Sequence, residues 1–232
     1  MPAEAAACRG LVQVYNSASG NVAALRGIDA VFNVGSVTAI VGPSGAGKST
    51  LLRLLAGLEA PAAGDVVVAG HSTAMLRTRQ RRRIMARHIG YVFQRPQDNM
   101  FDYLSVAEHV DLAARLRDIA PQEQDTALTI KEAGLMGLAH HKPGELSAGQ
   151  QQRLAFALAR VGGPALVVAD EPSAELDPDS CHQLVAQIRQ QALEGATFVI
   201  ATHDPYLIAA SDQQIVVERG LATTHETQPI HD

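Results

Sequence analysis

The sequence has only two cysteines and no long apolar run, and these absences exclude several classes of protein. Cys8 and Cys181 lie far apart and match neither a metal-ligand spacing nor a redox spacing. We therefore expect two incidental thiols in a reducing compartment. No apolar run approaches the roughly 18 residues that cross a bilayer, and the first ten residues, MPAEAAACRG, lack the apolar segment of a signal peptide. Any membrane role is expected to come through a partner.

Positive charge is scarce outside one stretch. The chain carries a formal net charge of −5, whereas general nucleic-acid binding needs clustered Lys and Arg that neutralise phosphates. We therefore expect no nucleic-acid partner. Two interpretations stay open for the basic stretch: a solvated helix face, or a patch that faces anionic lipid headgroups or an acidic partner. Its arginines are Arg77, Arg79, Arg81, Arg82, Arg83 and Arg87.

The alternation of apolar segments with helical patterns indicates an α/β protein. Because a domain typically has about 100 to 200 residues, the 232 residues fit one domain with an inserted lobe. Continuous apolar strands separated by helices favour a largely parallel sheet that is covered on both faces. These predicted strands lie at 37–41, 89–93, 165–169 and 197–201.

Two further regions complete the predicted fold. Three earlier segments, at 11–15, 25–32 and 65–68, have the pattern of antiparallel strands with glycine-containing turns. Between Phe93 and Ala165 the signals are helical, and they include a capping box formed by Ser105 and Glu108. We therefore expect a small antiparallel section and an inserted helical lobe.

The segment GPSGAGKST carries the strongest chemical signal, because it follows a predicted strand and opens a predicted helix. This is the context in which a P-loop cradles phosphates. Its glycines let backbone N–H groups point inward, the helix N-terminus adds a positive dipole, Lys48 adds a full charge, and Ser49 offers a hydroxyl to Mg²⁺. The predicted nucleotide-binding residues are Gly42, Pro43, Ser44, Gly45, Ala46, Gly47, Lys48, Ser49 and Thr50.

Two consecutive acids, Asp170 and Glu171, end the predicted strand at 165–169. The carboxyl ends of parallel strands meet at one edge of a sheet, so both side chains are expected beside the P-loop. There Asp170 can hold Mg²⁺ through water, and Glu171 can polarise an attacking water. The alternative is that both are solvated loop residues.

A third motif, LSAGQ, starts a predicted helix with polar residues. Ser147 and Gln150 have the spacing of a capping box, in which each side chain satisfies a backbone N–H group at the helix end. Local structure therefore explains this motif when it is taken alone.

The order and spacing of six motifs resemble those of the ABC ATPases: GPSGAGKST, Gln94 in YVFQ, LSAGQ, LVVADEP, AELD, and His203 in ATHD. The resemblance runs from about Leu11 to Gly220. It implies an α/β P-loop NTPase core with a mainly parallel sheet, an antiparallel β section and an inserted α-helical subdomain. In a single ABC ATPase domain over 1–232, the core would be 1–93 and 162–220, the helical subdomain about 94–161, and a polar tail 221–232, which we expect to fray.

The resemblance also implies the cofactors ATP and Mg²⁺ and the roles of several side chains. Ser49, Gln94 and Asp170 would be the metal-binding residues. Glu171 would be the catalytic base, with Gln94 and His203 as further catalytic residues that contact water and the γ-phosphate. Tyr15 would stack on adenine, although a core tyrosine is an open alternative.

A head-to-tail homodimer with ATP at the interface is the implied working form. In it, Ser147, Gly149 and Gln150 of one copy would meet the nucleotide held by the other, and the loop with Asp177 would cross the interface. Asp177 before Pro178 also fits a helix N-cap. Where the family usually has glycine this chain has Ala148, whose Cβ could restrict φ or hinder close approach.

The function implied by the resemblance is that of a motor subunit that drives a separate integral membrane permease. The chain most resembles the lipoprotein-releasing, macrolide-export and cell-division group, and a nutrient-importer ATPase is the alternative. A soluble ATP-driven clamp is a further alternative, although the long insertions or paired cassettes of such relatives do not occur here. We expect a cytoplasmic protein held peripherally on the inner face of the cell membrane through the permease.

Overall fold

A computed structural model describes residues 3–17, 20–74, 76–120 and 124–226 of the chain. Within these ranges, two short 3-10 turns, Pro96–Asn99 and Pro143–Glu145, accompany the regular elements. The strands are β1 (Glu4–Ser17), β2 (Gly20–Asn33), β3 (Val37–Val41), β4 (Ala63–Val68), β5 (His71–Ser72), β6 (Ile89–Val92), β7 (Leu166–Asp170), β8 (Phe198–Ala201), β9 (Gln213–Glu218) and β10 (Leu221–Glu226). The helices are α1 (Lys48–Leu55), α2 (Thr78–His88), α3 (Val106–Leu116), α4 (Thr126–Glu132), α5 (Ala148–Arg160), α6 (Pro178–Leu193) and α7 (Pro205–Ala209).

A six-stranded sheet in the order β10-β9-β3-β8-β7-β6 forms the centre of the molecule. Its strands from β9 to β6 are parallel, and β10 pairs antiparallel with β9. One face packs on α1, and the other packs on α5 and α6. Strands covered on both faces can be apolar throughout, as in VTAIV and LVVAD. The predicted α/β class with a mainly parallel sheet is confirmed.

A four-stranded antiparallel sheet, in the order β2-β1-β4-β5, packs on the outer side of α1. Its strands β1 and β2 are long and irregular, with a register shift between Cys8 and Leu11. Gly10 lies in this bulge with φ 55°, and its N–H donates to Asp29 Oδ1 at 2.8 Å. Cys8 and Cys181 are both buried and unpaired, as expected for incidental thiols.

The chain between β6 and β7 forms helices and, in its described residues, no strand. Helices α3, α4 and α5 share a hydrophobic cluster that includes Val110, Leu135 and Leu154. The predicted capping box at the start of α3 is confirmed: Ser105 N–H donates to Glu108 Oε2 at 2.7 Å, and Ser105 Oγ accepts from Glu108 N–H at 3.3 Å. Among the described residues, no helix has the length and apolar character that crossing a membrane requires.

The structure differs from the frayed tail expected over 221–232. Leu221–Glu226 pairs with β9 as strand β10, through a tight turn at Arg219 (φ 50°) and Gly220 (φ 80°). Two consecutive residues with positive φ form the turn that matches strand twist in a hairpin. An edge strand tolerates polar residues on its open face, which is why LATTHE can pair. Residues 227–232 lie outside the described part of the chain.

Candidate nucleotide site

The loop between β3 and α1 has a backbone that its glycines make possible. Gly42, Gly45 and Gly47 have φ values of 145°, 77° and 112°. A Cβ on Gly42 would lie 2.1 Å from the Val217 carbonyl oxygen, and a Cβ on Gly47 would lie 2.6 Å from that of Ala24. L-residues rarely adopt this conformation, so close packing and backbone geometry both require glycine here.

The ammonium of Lys48 is held back over this loop. Its Nζ donates to the Gly42 carbonyl at 2.7 Å and to the Pro43 carbonyl at 3.3 Å. Ala46 instead points into the hydrophobic core and is 5% exposed. Ala46 therefore anchors the loop in the core, whereas the Lys48 ammonium and the N-terminus of α1 face the same space above the loop.

An open cavity of about 660 Å³ lies above the loop. Its volume falls within the range of roughly 300 to 1,000 Å³ that is typical of small-molecule sites. The structure thus brings together most of the predicted site residues, which come from five separate segments, and it adds Ala24, which no motif in the sequence had indicated. The lining residues are Tyr15, Ala24, Gly42, Pro43, Ser44, Gly45, Gly47, Lys48, Ser49, Thr50, Gln94, Asp170, Glu171 and His203.

The two acids lie where β7 ends, and they have different surroundings. Asp170 pairs in register with Ala201 of β8. The next residue, Glu171, has φ 45°, a strained value for a residue with a side chain. Its Oε2 accepts from His203 Nδ1 at 2.8 Å and from the His203 backbone N–H at 3.2 Å. The Glu171 side chain is 16% exposed and that of His203 is 79% exposed, so the imidazole covers the carboxylate from the solvent side.

Gln94 follows β6 and is exposed at the rim of the cavity. It also lines a neighbouring cavity of about 340 Å³ together with Phe93, Asp170 and Glu175. One side chain therefore borders both the nucleotide cavity and the start of the helical region.

Tyr15 lines the cavity from the end of β1 and is half-buried. Its hydroxyl donates to Glu59 Oε2 at 2.5 Å, and Arg53 Nε donates to Glu59 Oε1 at 2.7 Å. The hydrogen bond with Tyr15 and the charge of Glu59 raise the pKa of Arg53. The sequence did not indicate Glu59 and Arg53, because no local motif links them to Tyr15, which lies 44 residues before Glu59. This contact holds the Tyr15 ring at the cavity wall.

The LSAGQ residues Ser147, Gly149 and Gln150 are not on the cavity lining of the same chain. Their predicted capping box is present: Ser147 N–H donates to Gln150 Oε1 at 2.8 Å, and Ser147 Oγ accepts from Gln150 N–H at 3.3 Å. Ala148 is the first residue of α5 and is not among the residues with positive φ. Its Cβ therefore imposes no backbone strain.

Asp177 is also absent from the lining and caps helix α6. Its Oδ1 accepts from Ser180 N–H at 2.9 Å and its Oδ2 accepts from Ser180 Oγ at 2.6 Å. These two hydrogen bonds lower the pKa of Asp177. The predicted N-cap is confirmed, with Pro178 at the first helical position.

A parallel strand that leads through a glycine-rich loop into a helix, with acids at the end of a nearby strand, defines a P-loop nucleotide-binding protein. The sequence profile described as "ABC transporter" matches residues 25–174. A lipoprotein-releasing system ATP-binding protein LolD of Chromohalobacter salexigens is 36% identical over 216 residues, which are 92% of this chain and 90% of that protein. A macrolide export ATP-binding/permease protein MacB 2 of Aeromonas hydrophila subsp. hydrophila is 32% identical over 214 residues, 91% of this chain and 33% of that longer protein.

Solved structures agree with these sequence matches. The ATP-binding cassette MJ0796 has been solved as a dimer, described as a bacterial ABC transporter cassette, with a TM-score of 0.86 and 28% identity to this chain. A dimer of the same cassette in a post-hydrolysis state, bound to ADP and Pi, has a TM-score of 0.86, 27% identity, and coverage of 96% of this chain and 99% of that one. The chain therefore belongs to the ABC transporter family. It is an ATP-binding cassette with ATPase activity.

Proposed function

We propose that the chain is the motor subunit of an ABC transporter of the export or lipoprotein-release type. One observation carries the ATP-driven motor in this proposal: a single cavity unites the P-loop with Asp170, Glu171, Gln94 and His203. Relatives with names of this type match over nearly the whole chain. We also propose that residues 1–232 form one ABC ATPase domain, with a core at 1–93 and 162–220 and a helical subdomain at about 94–161.

The P-loop and Tyr15 would hold the nucleotide. Backbone N–H groups of 42–50 would bind the phosphates, and Lys48 would exchange the carbonyls of Gly42 and Pro43 for the phosphate oxygens. Tyr15, held by Glu59, would stack on adenine, an interaction worth about 1 to 3 kcal/mol by analogy with base stacking. Charge and stacking would thus act at opposite ends of the ligand.

The oxygen donors of the cavity fit Mg²⁺. The hydroxyl of Ser49, the carboxylate of Asp170 and the amide of Gln94 line the same space. Among the described residues, no group of three or more His, Cys, Asp and Glu side chains could hold a metal ion alone. Mg²⁺ suits such a set, because it is usually bound by one or two carboxylates together with substrate phosphates and waters. When bound, it would neutralise charge on the β- and γ-phosphates.

Glu171 would act as the base in hydrolysis. Its carboxylate would accept a proton from water while the water oxygen bonds to the γ-phosphorus, and the bond to the β-phosphate oxygen would break to release ADP. His203, whose Nδ1–H donates to Glu171, would orient the carboxylate, and its ring would lie beside the γ-phosphate. The near burial of Glu171 would keep competing solvent away from the reacting water.

A second copy would complete each site. Ser147, Gly149 and Gln150 do not line the cavity of their own chain, yet they start a helix whose positive end can bind an anion. In a head-to-tail homodimer this end would meet the γ-phosphate held by the partner copy. Asp177, at the start of α6, would lie in the loop at the same interface.

The partner on the membrane side would be an integral permease docked in the groove near Gln94 and the helical subdomain. This contact would hold the chain peripherally on the inner face of the cell membrane. A nutrient importer remains an alternative for the same motor. A soluble clamp is less well supported, because the relatives that match over most of the chain carry transport names.

The shared site can be tested by mixing two inactive variants. Lys48→Ala removes the phosphate cation and Ser147→Ala removes the group supplied in trans. In a mixed dimer one site would have both changes and the other would have neither. An equimolar mixture should therefore recover about a quarter of wild-type activity, because half of random dimers carry one intact site. Wild type mixed with the chain that carries both changes is the matched control. Its mixed dimers have one defect in each site, so only wild-type homodimers remain active, and the mixture should show about a quarter of wild-type activity instead of the half expected from independent chains.

Failure of the mixture to exceed either single variant would refute the shared site. A rate per chain that stays constant on dilution to monomer would refute it as well. Docking is tested separately, by purifying the tagged chain from detergent-solubilised membranes and asking whether an integral membrane permease co-purifies with it. A chain that associates with ribosomes or nucleic acid instead would support the clamp.

A further inference from the structure

Helix α2 carries a concentration of positive charge that the nucleotide site does not use. Between Asp65 and Asp98 the sequence has no acid, and the six arginines of the basic stretch lie at 77–87. Leaving these six out of the formal net charge of −5 gives −11 for the rest of the chain. An anionic surface would repel most of the molecule and attract this helix.

Three of these arginines, Arg79, Arg83 and Arg87, form what we call the arginine stripe. They recur at every fourth residue, so they lie on one face of α2 along about 12 Å at 1.5 Å per residue. All three are exposed, whereas Met85 on the opposite side is buried in the core. Like charges at this spacing destabilise a helix by themselves, so the stripe costs stability unless an anion neutralises it.

Contacts inside the chain leave the stripe largely unneutralised. Among the described residues, the ion pair that α2 makes joins Arg83 to Asp118 at 3.7 Å. Their side chains are 85% and 69% exposed, and pairs this open contribute little because water and salt screen them. The guanidinium groups therefore remain available to a partner.

The position of α2 places the stripe beside the proposed docking groove. A cavity of about 240 Å³ lies between α2 and α3, lined by Ala86, Phe101, Leu116 and others. Leu116 is 69% exposed and Phe101 is 47% exposed at this cavity. This cavity shares Tyr91 with the cavity that Gln94 lines, and Ala86, which also lines it, directly precedes Arg87. The groove proposed for the permease and the stripe are thus neighbouring surfaces, and the membrane would lie on this side if the proposed function is correct.

We propose that the arginine stripe binds anionic phospholipid headgroups beside the permease. The stripe lies on an open helix face, and its three arginines do not line the cavity between α2 and α3. An open row of cations matches a plane of phosphates better than it matches one buried acidic group. Arginine binds phosphate through paired N–H groups, and basic clusters on helices are typical sites for acidic lipids.

Co-sedimentation of the purified full chain with vesicles tests this proposal without a permease. The vesicles are phosphatidylcholine with and without phosphatidylglycerol. The test variant combines Arg79→Gln, Arg83→Gln and Arg87→Gln. The control removes the same charge from exposed cations outside α2, and it combines Arg9→Gln, Arg26→Gln and Lys131→Gln.

We expect wild type to bind only the anionic vesicles. The stripe variant should partition on the order of 100-fold less, since each surface arginine is worth about 1 kcal/mol and each 1.4 kcal/mol is a factor of ten. The control should lose only a few-fold. ATP hydrolysis in solution should be unchanged in the stripe variant, because none of its three residues lines the nucleotide cavity.

Three outcomes would overturn the proposal. The first is that wild type shows no preference for anionic vesicles, and the second is that both triple variants lose binding equally. The third is that the stripe variant binds anionic vesicles as wild type does. If that variant also fails to bind the permease in detergent, the stripe belongs to an interface with an acidic protein surface. A chain that binds vesicles through the stripe but never co-purifies with a permease would refute the proposed function and support this inference.

Discussion

Replacing Glu171 with glutamine isolates the proton acceptor from its structural surroundings. Glutamine has nearly the same size as glutamate. Its carbonyl oxygen can still accept from Nδ1 and from the backbone N–H of His203, which lie 2.8 and 3.2 Å from Glu171 Oε2 in the wild type. The strained turn with φ 45° at this residue should therefore persist. What is lost is the basicity of the carboxylate.

The expected loss in kcat follows from that single change. Removal of a positioned general base commonly costs about 10²- to 10⁴-fold. At 1.36 kcal/mol for each tenfold, this corresponds to about 2.7 to 5.4 kcal/mol of transition-state stabilisation. Binding of ATP should be retained, so Glu171→Gln should accumulate as an ATP-bound dimer.

The assay combines three measurements on each protein: steady-state phosphate release with saturating ATP and Mg²⁺, equilibrium binding of ATP, and size-exclusion chromatography with ATP. Glu194→Gln is the matched control, since it removes an exposed carboxylate at the end of α6 without contact with the cavity. A folded Glu171→Gln protein that turns over within about threefold of wild type would refute the assignment of this base.

Three further predictions use paired residues or single contacts. Ser147→Ala and Ser105→Ala each remove a capping box and should each cost about 1 kcal/mol in unfolding by urea, but only Ser147→Ala should also abolish ATP-driven dimerisation; equal ATPase rates in the two would contradict this. Gly90→Ala should lower the unfolding free energy by about 1 to 3 kcal/mol or more, because the added Cβ would lie 2.0 Å from the Ala159 carbonyl oxygen. Gly144→Ala, with nothing within 4 Å, should change it little; similar urea midpoints for the pair would contradict the packing argument. Glu59→Gln should weaken ATP binding several-fold in a fluorescent-nucleotide titration with little change in kcat, because the phenol at β1 loses a charged partner; unchanged affinity would show that the ring needs no such support.

Sequence patterns were sufficient to predict the buried apolar strands and the helix starts that depend on residues close together in the chain. The strands at 37–41 and 165–169 were recognisable because strands buried on both faces are continuously apolar. The helix starts at Ser105 and Ser147 were recognisable because a capping box spans four residues. Strand β10 was missed because its edge position lets it remain polar, and only pairing with β9 makes it a strand.

The candidate site divides in the same way. The P-loop could be predicted because one continuous segment contains all of its phosphate-binding groups. The carboxylates of 170–171 could be predicted because they follow an apolar strand. The hydrogen bonds from His203 to Glu171 and from Tyr15 to Glu59 span 32 and 44 residues. Such contacts depend on strand order and on the bulged path of β1, which local pattern does not encode.

The sequence by itself determined the phosphate-binding loop, the predominance of parallel strands and the polar start of α5, because each depends on residues that are neighbours in the chain. Tertiary structure alone decided that β7 lies between β6 and β8, that His203 covers Glu171, and that LSAGQ lies off the cavity of its own chain. The physical reason is that sheet order and long-range hydrogen bonds are set by the packing of the whole core, in which distant segments compete for the same neighbours.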